Sequence, residues 1–305
     1  GILPFIVMAF GSLGLASVIN LMSVVQAASS GFVSSAGDDL NVTLGLLGFL
    51  IPVALAMSAR SLPMYSGLEA FPQKLVWPLA ITYFLGLVLI CAGTIVSASW
   101  SGIVTGGGMV CIGAVVILFV GVFLRLMRSR GRLPRRVAAL APEPQAVARS
   151  YKAKVTKEGK DYGPFVLLVA SAYMWAVLGG VLLVIDGVAQ ILLGEPVFAL
   201  DAIRHSFAIG FIALLICGIA PRMIPGFSGG SIFSPKLVRA TLWLGNSAAL
   251  LRVGSLLLAP LLALFQGTGS TIVAVMFGLS GPIGLALAIC LAVNLWPALT
   301  YVNKA

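Results

Sequence analysis

"IRHSFAIGFIALLICGIAPRMIPGFSGG", residues 203–230, reads as one membrane crossing. Behind the Arg204–His205 pair the run is apolar, and with its flanks it reaches the roughly 20 residues a helix needs to traverse a bilayer core. It ends in arginine, prolines and glycines. The only histidine of the chain therefore stands at the head of a hydrophobic helix.

The remainder of the chain has the same character. Hydrophobic residues make up 60% of the 305 and charged residues 9%, with a mean hydropathy of +1.09. Soluble domains carry about 25% charged residues. Eight apolar runs are long enough to cross: 3–27, 41–59, 77–98, 103–127, 164–186, 202–220, 238–259 and 271–297. Period-two alternation is absent, so helices rather than a lipid-embedded barrel are expected. The sequence predicts an all-α polytopic membrane protein with eight transmembrane helices in a lipid bilayer.

Charge orients these crossings. Of the 19 Lys and Arg residues, all but Arg204 and Arg252 fall on the side shared by the N-terminus, the 60–76, 128–163 and 221–237 connections, and the C-terminus. The positive-inside rule makes that side cytoplasmic, and a multi-pass protein of the bacterial inner membrane is expected. Asp38, Asp39, Asp186, Glu195 and Asp201 lie on the other side. The formal charge of +10 is thus a topology signal, and no nucleic-acid-binding module accompanies it. The opening "GILPF" lacks Met, which leaves room for residues upstream of it.

Residues 60–76, "RSLPMYSGLEAFPQKLV", repeat at 222–238 as "RMIPGFSGGSIFSPKLV", with eight of seventeen positions identical and no gap. The same offset of 162 pairs Gly48 with Gly210 and Phe49 with Phe211, and an offset of 160 pairs Pro4-Phe5 with Pro164-Phe165. Four crossings return the chain to its starting side, so two parallel four-helix repeats are expected, at 1–128 and 164–305. Residues 129–163, with "RLPRR", "APEP" and a Lys-rich stretch, form a basic cytoplasmic linker that either runs along the surface or remains free. In each repeated loop, arginine complements the helix C-terminus, proline stops the helix and Ser-Gly permits a turn. Two such loops would bring Arg60 and Arg222 together as an anion site; duplicated helix stops with positive-inside charge are the simpler reading.

Function is sought where the halves differ. His205 aligns with Thr43, and Arg252 with Ile90. An ionisable residue inside a crossing is expensive and marks a candidate site. At 1.5 Å per residue His205 lies about 5 Å into its helix and Arg252 about 22 Å along the next one, placing both in the outer leaflet. Imidazole and guanidinium at that depth suit a b-type haem, with His205 as the metal ligand and Arg204 and Arg252 pairing with propionates. Hydrogen bonding or snorkelling of a lone interfacial histidine is the plainer alternative. Cys91, Cys111, Cys217 and Cys290 lie in apolar runs without C-x-x-C spacing and read as small hydrophobes rather than ligands.

At "RHSFAIGFIALLICGIAPRMIPGFSG" the chain resembles the NnrS family of polytopic membrane proteins, through His205, Gly210, Arg222, Met223, Pro225, Gly226, Phe227, Ser228 and Gly229. The strong match covers about 30 residues, in the manner of a short motif. The resemblance implies a link to haem, copper and nitric-oxide-related metabolism, and ligation of haem by His205. It also implies more crossings than eight; a third four-helix unit would give the twelve of heme-copper oxidases, in an analogy of fold alone. No second histidine exists for a bis-histidine haem and no three-histidine cluster for copper, so copper is disfavoured. Met174 is a weak second-ligand candidate that reads better as core packing.

Three functions follow as expectations. The first is a haem-binding membrane protein for electron transfer or nitric-oxide-related redox or sensing. The second is a non-catalytic subunit packing against other membrane subunits of a respiratory or photosynthetic complex, consistent with the small residues of "GTGSTIVAVMFGLSGPIGLALAI". The third is a small-solute transporter, for which Gly106-Gly107-Gly108 and Gly281-Pro282 would unwind helices. A histidine ring bonded to nothing but a carbonyl would favour the second over the first.

Overall fold

The computed structural model describes residues 2–32, 35–66, 68–128, 130, 138–139, 143–262 and 268–301. The basic run 132–136, Gly67 of the first repeated loop and residues 302–305 lie outside them. Every element among the described residues is helical. Eight helices are long and apolar enough to cross a membrane, at the places the hydropathy indicates. They are α1 (Leu3–Ser30), α2 (35–66), α3 (Gln73–Gly93), α4 (Ala98–Arg128), α6 (Phe165–Leu193), α7 (Leu200–Ser228), α8 (Pro235–Leu262) and α9 (Thr268–Tyr301). The 18-residue α5 (Pro144–Asp161) is the amphipathic helix of the linker.

Packing divides the chain into two compact units, one of residues 1–60, 72–121 and 177–199, the other of 61–71, 122–176 and 200–305. This division cuts through α2, α4 and α6 and is independent of the sequence repeat.

In the first unit, glycine sets the helix spacing. A Cβ on Gly187 would sit 2.6 Å from the Gly106 carbonyl oxygen, and one on Gly180 would sit 3.1 Å from that of Gly113. These antiparallel pairs bring α4 and α6 into backbone contact, while Gly108 meets Gly86 of α3 on another side. Without a hydrophobic drive between helices in lipid, such close approach supplies the attraction. The Gly106-Gly107-Gly108 stretch is thus a packing device within a continuous helix, and α9 likewise stays helical through Gly281-Pro282.

Helices α2 and α7 share an irregularity. Each changes from α to π winding part-way, over Leu44–Leu50 in α2 and Ser206–Ala213 in α7. The starting residues are 162 apart, the offset of the sequence repeat. π segments insert an extra residue per turn and shift the carbonyls out of line. In α2 one of them, Leu47 O, accepts a 2.6 Å bond from the buried Tyr83 hydroxyl of α3.

The prolines of the repeated loops do not stop their helices. Pro63 lies within α2, which continues to Ser66, and Pro221 and Pro225 lie within α7, which continues to Ser228. α7 ends instead at Gly229, whose φ of 73° is left-handed and whose N–H donates to Pro225 O at 3.0 Å. Glycine reaches that conformation without steric cost, so it rather than proline sets the end.

Candidate functional site

His205 closes the first α-helical turns of α7, immediately before the π segment. Its Nδ1 lies 2.7 Å from the Asp201 carbonyl oxygen. A carbonyl only accepts, so Nδ1 carries the proton and Nε2 holds the lone pair in the neutral ring. Ser206 turns back in the same way, its hydroxyl donating to Ala202 O at 2.8 Å. Both side chains thus satisfy carbonyls one turn earlier, where the winding changes.

Arg204 faces its own helix as well, 3.6 Å from the Asp201 carboxylate. Asp201 falls inside the first turn and serves as this ion-pair partner. Arg252 is on α8, which packs against the His205 end of α7. Its guanidinium carbon lies 3.6 Å from the centroid of Phe277 on α9, and its buried Nε has no hydrogen-bond partner. Met174, by contrast, is 57% exposed and faces away from the core. Among the described residues no three or more His, Cys, Asp and Glu side chains cluster as a metal site would require.

Just below this region, polar residues that hydropathy alone passes over tie α6 to α8. Trp175 Nε1 donates to Asn246 Oδ1 at 3.0 Å, and Asn246 Nδ2 donates to Ser171 Oγ at 3.2 Å and Leu242 O at 2.8 Å. Gly210, inside the π segment, makes room for the Trp175 ring: any Cβ there would stand 2.5 Å from Trp175 Cγ. The signal in the sequence was the single Asn of the 238–259 crossing.

The repeated-loop arginines have separate surroundings. Arg222 Nη2 donates to Glu158 Oε1 of α5 at 2.8 Å, and its guanidinium lies 5.1 Å from the centroid of Tyr162. Arg130 approaches the other oxygen of Glu158 at 3.9 Å and covers Phe165 at 5.2 Å. Burial pulls the Arg130 guanidinium below its ordinary range, and the Glu158 charge partly restores it. Arg60 belongs to the first packing unit, at an exposed position of α2.

One further polar group is buried at the opposite end of α6. Asp186 Oδ1 accepts from the N–H groups of Val197 and Phe198 at 3.0 and 2.9 Å, folding back the segment that leads to α7, while Oδ2 is buried without a partner. The carboxylate that the sequence assigned to the outer surface is therefore a loop clasp.

Comparison with protein families, curated proteins and solved structures gives no match to this chain.

Proposed function

We propose that the chain is a membrane haem-binding protein in which His205 Nε2 ligates a b-type haem, serving electron transfer or the handling of a small gas. Taken alone, the bond from His205 Nδ1 to the Asp201 carbonyl favours a packing subunit. The observation that carries the haem reading is the buried, unpartnered Arg252 Nε on the helix packed against the His205 end of α7, with His205 Nε2 left as an available ligand. Ligating histidines donate their other ring N–H to a carbonyl or carboxylate, which fixes the tautomer and makes the free nitrogen more basic. The unpartnered Nε of Arg252 fits a propionate, which would satisfy a buried donor. A bound haem would supply reversible one-electron chemistry and a binding position for a diatomic gas. The resemblance to NnrS proteins in residues 204–229 points the same way. A bacterial inner-membrane location with both termini cytoplasmic accords with the charge distribution.

The test is a pyridine haemochrome measurement on protein purified from its native membrane with any bound subunits. One haem per chain is the expected result; none, in a sample with partners retained, removes the reading.

A second reading, a non-catalytic subunit packed against other membrane subunits, is favoured by α9. Only 11% of the residues in an 18-residue apolar window of this helix are buried, and a Cβ added at Gly278, Gly281 or Gly284 would meet nothing within 4 Å. The His205–Asp201 bond also satisfies the ring without any metal. Gentle solubilisation that yields the chain alone and without haem-free partners would count against it.

A further inference from the structure

In the first packing unit a groove of about 540 Å³ runs between α1 and α3 and ends near the start of the π segment of α2. Gly11, Leu15, Leu44, Phe84, Val88 and Cys91 are among its walls. Its volume falls in the ~300–1,000 Å³ range of ligand sites. Ser12 also borders it, but the Ser12 hydroxyl is engaged by Met8 O of its own helix at 3.0 Å. Beyond the soft sulfurs of Met8 and Cys91, the walls therefore hold no side chain seeking a polar partner. A ligand bearing hydroxyls, amides or charge would lose hydration here without recompense.

At the corresponding place in the second half the helices are joined by hydrogen bonds. Gly11 and Leu15 align at offset 160 with Ser171 and Trp175, and Phe84 aligns at offset 162 with Asn246. Those three residues form the hydrogen-bonded bridge that draws α6 onto α8. In the first half their replacements cannot bond. A Cβ at Gly11 would meet nothing within 4 Å, and Leu15 and Val88 are 50% and 62% exposed. α1 and α3 still touch beside the groove, through the Phe5 and Tyr83 rings at 6.4 Å and through α2, where Ser12 abuts Gly48. The gap is thus local, bounded by close contacts.

We infer that this groove binds one hydrocarbon chain of a membrane lipid, laid between α1 and α3. Its walls are apolar, and Gly11, Leu15 and Phe84 stand where the second half has the hydrogen-bonding Ser171, Trp175 and Asn246. A methylene chain is the ligand that needs nothing the groove lacks. The inference rests on the membrane assignment and is independent of haem.

The full chain, reconstituted in phosphatidylethanolamine–phosphatidylglycerol vesicles containing a phospholipid with a diazirine on one acyl chain, tests it. Labelling of residues 8–15 and 84–95 should saturate at one lipid per chain. Labelling at Leu21 and Val25, exposed on α1 outside the groove, should rise in proportion to probe without saturating. Gly11→Ser/Leu15→Trp/Phe84→Asn, which transplants the bridge, should reduce groove labelling to the level at Leu21. Should that variant misfold, Val88→Trp, which fills the groove from its exposed edge, should do the same. Non-saturating labelling in the groove, undiminished labelling in a folded variant, or cross-linking there to a protein partner instead of lipid would each overturn the inference.

Discussion

Glu158 Oε1 accepts a 2.8 Å hydrogen bond from Arg222 Nη2, joining the linker helix α5 to the last turns of α7. The two side chains keep 13% and 20% of their exposure, so neither is free to exchange its partner fully for water. The arginine that the repeat offered as half of an anion site is engaged by a carboxylate of its own chain. Helix α5 is thereby tied to α7. Its other long face, with Arg149, Lys152, Lys157 and Lys160, borders a shallow surface hollow.

Glu158→Gln removes one charge from this contact and leaves Arg222 underpaired. After discounting for partial exposure, a loss of about 1–2 kcal/mol is expected. Hydrogen exchange across residues 144–161 should accelerate. The double variant Glu158→Gln/Arg222→Gln should cost less than the sum of the single changes, since the second removes the charge that the first orphans. Additive losses, or unchanged exchange in α5, would show that the helix is held by other contacts.

Gly106→Leu should separate α4 from α6, because its side chain would be driven into the Gly187 backbone and Ile191. Overpacking at such a site costs about 1–3 kcal/mol or more. Gly107, one residue away, has nothing within 4 Å of an added Cβ, so Gly107→Leu should stay within about 0.5 kcal/mol of the parent. Thermal unfolding of the detergent-solubilised chain distinguishes the two. Equal effects would mean that helix propensity rather than close packing governs this stretch.

Tyr83→Phe tests the π segment of α2. It deletes the 2.6 Å hydrogen bond to Leu47 O, at a cost of about 1 kcal/mol. Because the phenyl ring keeps its edge-on contact with Phe5, packing is retained and the loss reports on the hydrogen bond. Exchange of the amides in residues 44–51 should rise more than in α1; a uniform rise would indicate general loosening.

These tests also mark what the sequence could and could not convey. The eight crossings were legible because hydropathy sums over some 20 residues and tolerates local exceptions. The helix ends were less so: Pro63 and Pro225 read as stops, yet α2 continues to Ser66 and α7 to Ser228, where the left-handed Gly229 supplies the end of α7. The π segments carry no compositional mark, being single-residue shifts in register. Their trace was the match of Gly48 with Gly210, whose role in admitting Ser12 and Trp175 only geometry reveals. Glu158 was hidden in a Lys-rich run, although Tyr151, Val155, Glu158 and Tyr162 share the helical spacing of a packing face. His205 and Arg252 were visible as ionisable residues in crossings, but spacing could not show that one bonds the Asp201 carbonyl and the other lies on Phe277.

His205→Ala should abolish haem retention while leaving insertion intact, since the side chain's one polar contact is to a carbonyl of its own helix. Arg252→Leu should lower occupancy without removing it, because a propionate partner contributes to binding but does not hold the iron. The chain has no second histidine and Met174 is turned outward, so if His205 alone holds a haem, the Soret band of the reduced protein should shift on addition of carbon monoxide. Gel filtration confirms that each variant is folded before its haem is counted. Unchanged haem in both variants would exclude His205 as the ligand; a carbon-monoxide-insensitive spectrum would show that a second ligand is present.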